Sequence, residues 1–296
     1  MEGLSPGLFL AHKDAGPDSF SVVASAKRRA RPREKICHGG ALDPFASGLM
    51  LVLVGPATKL FEHLHALPKT YRATIAWGTE TDNLSPLGKL VATGDATKLV
   101  ASAIDAALGK MLGWSEQVPP HHSNKRVGGE RAWKKAQRGE SFELPPSRVY
   151  LHSARVLEHR LPTETEVELV CRGGYYVRSL ARDLGRALGC PAHLSRLARP
   201  AIGPWSDVSP EALVPVPRDE LLGWCPTREL SDDDVGRLRR GETIPTGMLA
   251  PPVVRLPPGF PDANGPTRGV HLGKLAMLLA GEAGGLKLLT ALHPAL

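Results

Sequence analysis

The sequence predicts a mixed α/β fold followed by a small β-rich domain, and three patterns carry that prediction. Residues 49–54 form an unbroken apolar run of strand length, typical of a buried strand. Residues 71–78 alternate between apolar and polar side chains, as a half-buried strand does. Residues 177–188 repeat apolar side chains at helical spacing. Strand and helix patterns therefore alternate along most of the chain.

The N-terminal elements lead into a loop around Asp43. Residues 7–13 suit a short strand, and Ser19 is expected to cap the helix that follows. The loop 38–48 is rich in glycine and proline, which makes it sharp and open to close approach. It places the carboxylate of Asp43 just before the buried strand. Taken alone, this pattern fits an Asx-type turn residue as well as a functional carboxylate.

The later elements continue the alternation. Helices are expected at residues 56–67 and 97–112, a strand pair at 149–157 and 166–171, and a further short strand at 193–198. Two glycines at 173 and 174 turn the chain into the helix that ends at Gly189. Tyr176 and Arg178 are therefore expected at a strand-to-helix junction, in the first turn of that helix.

A domain boundary is expected between residues 200 and 217, where proline and small residues accumulate. We therefore assign residues 1–205 to a large domain and residues 217–296 to a small C-terminal domain of short strands and turns. The small domain contains an amphipathic segment, residues 232–240, which ends at Gly241.

The charge of the chain indicates an anionic partner. Lys and Arg number 37 against 30 Asp and Glu, a formal net charge of +7 with a pI near 9.4. The basic residues cluster twice: Lys27, Arg28, Arg29, Arg31, Arg33 and Lys35, then Lys125, Arg126, Arg131, Lys134, Lys135 and Arg138. A charge run is often only a solvated face, but two runs flanking one candidate site favour phosphate contacts.

Several classes of protein are not expected. The four cysteines show no C-x-x-C pair and no zinc-type spacing with histidine, which favours reduced thiols in a cytoplasmic protein. No signal peptide is seen, and no apolar run approaches the roughly 18 residues that span a bilayer. The sequence shows neither a glycine-rich phosphate loop nor a metal-ligand set.

Four motifs in this order resemble the TruB family of tRNA pseudouridine synthases. They are the loop 38–48, Lys69-Thr70-Tyr71, residues 171–185 and residues 193–197. The resemblance covers roughly residues 6–205, which makes the large domain the catalytic one. It implies the pseudouridine synthase fold, a largely antiparallel sheet with flanking helices around a cleft, and it suggests that residues 217–296 form an RNA-binding domain of the PUA type.

The resemblance assigns the catalytic roles to Asp43, Tyr71 and Arg178. It implies that Asp43 acts at C1′ of the target uridine, as a nucleophile or as a stabiliser of positive charge. Arg178 resembles the arginine that pairs with that aspartate, and Tyr71 the tyrosine that stacks on the target base and helps to remove its C5 proton. The structural alternatives are a helix-surface arginine with another partner and a half-buried strand tyrosine.

The resemblance also assigns substrate-binding roles. His38 is expected to enter the gap left by the flipped uridine, Tyr176 to line the pocket, and Leu197 to form its apolar wall. The alternatives are a surface loop histidine and a core leucine. The basic segment at about 117–139 resembles the RNA-gripping insertion of the family, with Arg126 and Arg131 among its matching positions. Ser85 stands where the family usually has an acid, and His122 and Trp133 replace tyrosines.

The expected function is isomerisation of a uridine to pseudouridine in the T loop of tRNA, at the position conventionally numbered 55. The resemblance implies no metal, nucleotide or redox cofactor, and we expect a cytoplasmic monomer whose partner is the T arm of tRNA. A competing hypothesis is a tRNA-binding chaperone that needs no catalysis. A third is a base-releasing N-glycosidase built on the same carboxylate.

Overall fold

The computed structural model describes residues 4–210, 212–261, 265–292 and 296. The strands in those ranges are β1 Gly7–Lys13, β2 Ile36–His38, β3 Ser47–Val54, β4 Lys69–Trp77, β5 Thr79–Thr81, β6 Leu90–Thr93, β7 Gly113–Gln117, β8 Arg126–Val127, β9 Glu130–Arg131, β10 Ser147–Arg160, β11 Glu164–Cys171, β12 Ala192–Ile202, β13 Trp205–Ser206, β14 Leu213–Pro215, β15 Thr227–Glu229, β16 Thr267–His271, β17 Lys274–Glu282 and β18 Gly285–Ala291. The α-helices there are α1 Ser19–Arg29, α2 Phe61–Ala66, α3 Ala101–Gly109, α4 Ala132–Gln137, α5 Val177–Ala187 and α6 Asp232–Arg239, and two short 3-10 helices cover Gly55–Leu60 and Arg218–Glu220.

The chain divides into two compact units. The first unit consists of Met1–Pro44, Gly48–Pro68 and Ala201–Leu296, and the second of Phe45–Ser47 and Lys69–Pro200. The chain passes from the second unit back into the first within strand β12. Among the described residues, no helix has the length and apolarity needed to cross a membrane.

Strand β3 is the centre of the first unit. It pairs antiparallel with β1 along its whole length and also with β2, and β1 pairs with β14 on its other edge. Leu51 belongs to one apolar cluster, whereas Val52 belongs to a second cluster with Ala26 of α1. Because both faces of β3 are buried, its sequence is a continuous apolar run rather than an alternating one.

A separate four-stranded sheet lies in the C-terminal part of the chain, as predicted. Its order is β15-β16-β17-β18, with a parallel first pair and two antiparallel pairs. Met277 and Leu279 of β17 pack in one cluster with Leu238 of α6, whereas Leu278 packs in the cluster that contains Leu51 of β3. The C-terminal sheet therefore buries one face against its own helix and the other against N-terminal strands of the same unit.

The second unit contains a sheet with the order β12-β4-β11-β10-β7. The pairs β4–β11, β10–β11 and β7–β10 are antiparallel. The strand pair expected at 149–157 and 166–171 is therefore confirmed as β10 and β11. Together with helices α3 and α5, this sheet confirms the predicted mixed α/β fold with mainly antiparallel strands.

The starts of helices α1 and α3 differ from the expectation for physical reasons. Helix α1 is capped by Asp18, whose carboxylate accepts from the Ser21 N–H at 3.0 Å, so the assignment of Ser19 as the cap was wrong. Helix α3 begins later than expected because Asp95 accepts from the Thr97 N–H at 2.9 Å and from its hydroxyl at 2.6 Å. That local turn competes with the helix.

Candidate active site

The loop that carries Asp43 is anchored on its N-terminal side by Ser19. The buried Ser19 hydroxyl donates to the Leu42 carbonyl oxygen and accepts from the Leu42 N–H, both at 2.8 Å. A hydroxyl can do both at once, so one side chain satisfies both backbone polar groups of a buried residue. Ser19 therefore fixes the residue directly before Asp43, a role that local sequence patterns do not reveal.

The same loop is anchored on its C-terminal side at Pro44. The Pro44 carbonyl oxygen accepts from the Gly16 N–H at 2.7 Å and from the Lys13 ammonium at 3.2 Å. Lys13 is buried and also donates to the carbonyl oxygen of Asp14 at 2.8 Å. Asp43, which is half-buried, thus lies between Leu42, whose backbone is tied to the start of α1, and Pro44, whose backbone is tied to the first strand and the turn that follows it.

His38 ends strand β2 and is half-buried. Its Nδ1 accepts from the Gly40 N–H over a long distance of 3.4 Å. Gly40 and Gly48 have φ angles of 148° and 114°, which L side chains rarely adopt. The tight return of the chain from His38 into β3 therefore depends on these two glycines.

Tyr71 is buried in β4 and contacts a buried arginine. Arg199 of β12 is only 1% exposed, and its Nη1 donates to the Tyr71 hydroxyl oxygen over 3.4 Å. The Arg199 guanidinium carbon lies 5.9 Å from the centroid of the tyrosine ring. Sequence analysis did not select Arg199. The signal that could have found it is the alternation of β12, since Arg199 lies two residues after Leu197, which is also buried.

Lys69 adds a second basic group to β4, two residues before Tyr71. Burial lowers its pKa to about 7, with a further contribution from the charge of Arg199. Cys171 is opposite Lys69 in the antiparallel register, and burial raises the pKa of its thiol to about 12. The lysine is therefore far easier to deprotonate than an exposed one.

Arg178 lies in the first turn of α5, where the sequence predicted it. It is only 6% exposed, so its side chain is buried rather than on the surface of the helix. Its Nη1 donates to the Asn83 carbonyl oxygen at 2.7 Å and its Nη2 to the His122 carbonyl oxygen at 2.8 Å. The guanidinium thus ties the loop after β5 to the basic insertion.

Further contacts join the root of the insertion to α5. The Gln117 side chain donates to the Tyr176 carbonyl oxygen at 3.1 Å and accepts from the Tyr176 N–H at 2.9 Å. The Val118 carbonyl oxygen accepts from the Ser179 hydroxyl at 2.8 Å and from Arg182 Nη2 at 2.9 Å. Sequence analysis assigned no role to Gln117, Ser179 or Arg182.

Arg126 and Arg131 are directly opposite each other in the β8–β9 hairpin of the insertion. Both side chains are exposed. Arg126 donates to the Gly129 carbonyl oxygen at 2.7 Å and Arg131 to Asn124 Oδ1 at 2.9 Å. The structure therefore brings two of the predicted RNA-binding residues together on one solvent-facing hairpin.

Ser85, His122 and Trp133, which depart from the family pattern, each have identifiable surroundings. The buried Ser85 hydroxyl donates to Asn83 Oδ1 at 2.9 Å, so it braces the loop that Arg178 holds. Burial lowers the pKa of His122, which favours a neutral ring at neutral pH. The Trp133 ring has the Lys134 ammonium 5.7 Å from its centroid.

The predicted site residues are distributed over both compact units. His38 and Asp43 belong to the first unit, and Tyr71, Arg126, Arg131, Tyr176, Arg178 and Leu197 belong to the second. Within the described part of the chain, no group of three or more His, Cys, Asp or Glu side chains is arranged to hold a metal ion.

Comparison with known proteins identifies the family. The family model for the N-terminal domain of TruB family pseudouridylate synthases matches residues 27–177, which include the Asp43 loop, Tyr71 and the insertion. The chain is 36% identical over 259 residues to tRNA pseudouridine synthase B of Rhodopseudomonas palustris, covering 80% of this chain and 70% of that protein. The chain belongs to the TruB family. It is also 33% identical to tRNA pseudouridine synthase B of Thermobifida fusca over 270 residues, covering 84% of this chain and 92% of that protein.

The TruB fold is seen again among solved structures. A chain of an H/ACA ribonucleoprotein bound to a substrate RNA containing 2′-deoxyuridine superposes with a TM-score of 0.65. The match covers 97% of this chain and 85% of that chain at 19% identity. This similarity concerns the fold. The TruB motifs, by contrast, assign this chain to the pseudouridylate synthases.

Proposed function

We propose that this TruB family member converts a uridine in the T loop of tRNA, at the position conventionally numbered 55, to pseudouridine. Two relatives named tRNA pseudouridine synthase B align with 80% and 84% of the chain. The observation that carries the proposal is the Asp43 loop. Its single carboxylate follows Leu42 and precedes Pro44, and the backbone of both neighbours is anchored. A carboxylate held in this way is suited to a reaction that demands a fixed position.

The chemistry is an isomerisation, so its atoms balance within the substrate. The N1–C1′ bond breaks, the uracil turns without leaving, and its C5 bonds to C1′. The C5 proton is then lost, and N1 gains a proton. We assign Asp43 the stabilisation of C1′, either by bonding to it or by its negative charge. No co-reactant or cofactor is needed.

Three further side chains complete the proposed reaction site. We assign Arg178 the pairing with the aspartate that the TruB motifs imply, since a planar guanidinium can hold a carboxylate with two parallel hydrogen bonds. Tyr71 stacks on the uracil and takes part in removing the C5 proton, and its buried contact with Arg199 supports a fixed position for the ring. Tyr176 and Leu197 line the pocket.

Access to the uridine requires RNA binding and base flipping. A stacked base must leave its neighbours, at a free-energy cost of a few kcal/mol. We propose that the His38 side chain enters the gap that the flipped base leaves, where its ring stacks on the adjacent bases. Arg126 and Arg131 contact phosphates of the T arm from the exposed hairpin, which agrees with the net charge of +7.

The proposal extends to the organisation of the protein. We infer that residues 1–205 form the catalytic domain, with the RNA-gripping insertion at about 117–139. We infer that residues 217–296 form a small PUA-like domain that adds RNA contacts. We also propose that the protein acts as a monomer in the cytoplasm. Light scattering of the purified chain tests the monomer, and a dimer would contradict it.

The function is tested on an unmodified tRNA transcript, with pseudouridine mapped by chemical labelling and primer extension. We expect one new stop at the T-loop uridine, and none in a transcript carrying cytidine there. Tight binding without any product would contradict the proposal and favour the tRNA-binding chaperone. Release of free uracil would favour the N-glycosidase.

A further inference from the structure

The basic insertion is braced internally. The Ala132 N–H donates to the Lys125 carbonyl oxygen at 2.7 Å, and the Trp133 N–H donates to the Ser123 carbonyl oxygen at 3.1 Å. Arg138 forms an ion pair with Glu130 at 2.7 Å, and the hydrogen bonds from Arg138 lower the pKa of the Glu130 carboxyl. The hairpin and helix α4 are therefore linked to each other.

The root is held by the first two turns of α5. Ser179 is fully buried and Arg182 is only 7% exposed, and both donate to the same Val118 carbonyl oxygen. That oxygen has two lone pairs, and these two donors occupy both. Arg182 also pairs with Asp183 at 2.8 Å, which compensates for burying its charge.

Helix α5 therefore carries two sets of contacts on one rigid element. Arg178 and Arg182 are four residues apart and lie on the same side of the helix. Arg178 binds the carbonyl oxygen of His122 at 2.8 Å, further into the insertion, while Arg182 and Ser179 bind Val118 at its start. A change in the root contacts would therefore displace the insertion relative to the arginine that we assign to the reaction site.

We propose that Ser179 and Arg182 are positioning residues that orient the RNA-gripping insertion through the Val118 carbonyl. This inference rests on the proposed function, because it assumes that the insertion grips RNA. Neither side chain contacts the reacting atoms. Their effect is on the affinity for tRNA, since they set where the hairpin with Arg126 and Arg131 lies.

The test compares Ser179→Ala and Arg182→Met with a matched control on the same helix. Arg186→Met removes another arginine of α5, whose side chain is 66% exposed and lies 3.9 Å from the Glu80 carboxylate. We expect Ser179→Ala and Arg182→Met each to weaken tRNA binding and raise KM about tenfold, the scale of a lost buried hydrogen bond. The single-turnover rate at saturating tRNA should change less than threefold. Arg186→Met should behave as wild type.

Hydrogen exchange of the free protein gives a second readout that does not depend on RNA. We expect faster exchange in residues 119–139 for both root variants, with the rest of α5 and strand β4 unchanged. Arg182→Lys, which keeps a positively charged donor group, should restore part of the protection and part of the affinity. These are effects that a general loss of stability would not produce.

Two results would overturn the proposal. One is wild-type exchange in the insertion for both root variants. The other is a fall in the saturating rate with unchanged KM. If wild-type protein does not bind tRNA at all, the proposed function fails, whereas the exchange data still decide whether Ser179 and Arg182 orient the insertion.

Discussion

Removal of the Ser19 hydroxyl should destabilise the Asp43 loop by a predictable amount. In Ser19→Ala, the backbone of the buried residue Leu42 loses two 2.8 Å hydrogen bonds, one at its N–H and one at its carbonyl oxygen. Each unsatisfied buried group costs about 1–3 kcal/mol, so the free energy of unfolding should fall by about 2–6 kcal/mol. Alanine fills nearly the same volume, and no large cavity term is added.

Ser21→Ala is the matched control, two residues along the same helix. The Ser21 hydroxyl is exposed and donates to the Asp18 carbonyl oxygen at 2.6 Å. An exposed hydroxyl can be replaced by water, so this substitution should change stability by less than about 0.5 kcal/mol. Urea titrations of both variants, with equal m-values, give the comparison.

The same pair of variants tests the link to activity. If Ser19 holds the backbone beside Asp43, Ser19→Ala should lower the single-turnover rate at least tenfold under conditions where the protein is folded. Ser21→Ala should keep the wild-type rate. A Ser19→Ala protein that matches Ser21→Ala in both stability and rate would refute the role of Ser19 as an anchor of the loop.

Three further predictions concern the second unit. Because the pKa of Lys69 is lowered from 10.5 to about 7, the unfolded state binds more protons between those pH values and wild-type stability should rise with pH there. At about 1.4 kcal/mol per pKa unit, this rise in the free energy of unfolding can reach several kcal/mol. Lys69→Met should lack much of the rise, and urea titrations of both proteins at pH 7 and pH 9 measure the difference. Arg199→Met should slow product formation strongly when Tyr71 is present and much less in a Tyr71→Phe background. Equal losses of rate in both backgrounds would show that Arg199 does not act through the Tyr71 hydroxyl. Replacing Arg126 and Arg131 by Gln should weaken tRNA binding. It should also reduce the slope of log affinity against log salt concentration by the amount expected for about one to two phosphate contacts, and an unchanged slope would contradict their contact with RNA.

Short-range sequence patterns were sufficient to predict most helices and strands and the position of Arg178. Strand β3 is an unbroken apolar run because both of its faces are buried. Arg178 could be placed because two glycines and a helical repeat fix where α5 begins. In each case the determining signal lies within about a dozen residues of the element.

Contacts between distant residues could not be predicted in this way. Ser19 is adjacent to the true cap, Asp18, and both are good capping residues, while its actual partner Leu42 is 23 residues away. Arg199 is 128 residues from Tyr71 and belongs to no motif that the sequence offers. The packing of Leu278 in the cluster of the N-terminal strands is likewise a tertiary feature without a local signal.

The most direct test of the central claim is Asp43→Asn, assayed for tRNA affinity and for pseudouridine at the T-loop uridine. Asparagine keeps the size of the side chain and removes its charge and its nucleophilic oxygen. We predict that product formation is abolished while the dissociation constant for tRNA stays within about threefold of wild type. Product at an appreciable fraction of the wild-type rate would contradict the role of Asp43 at C1′.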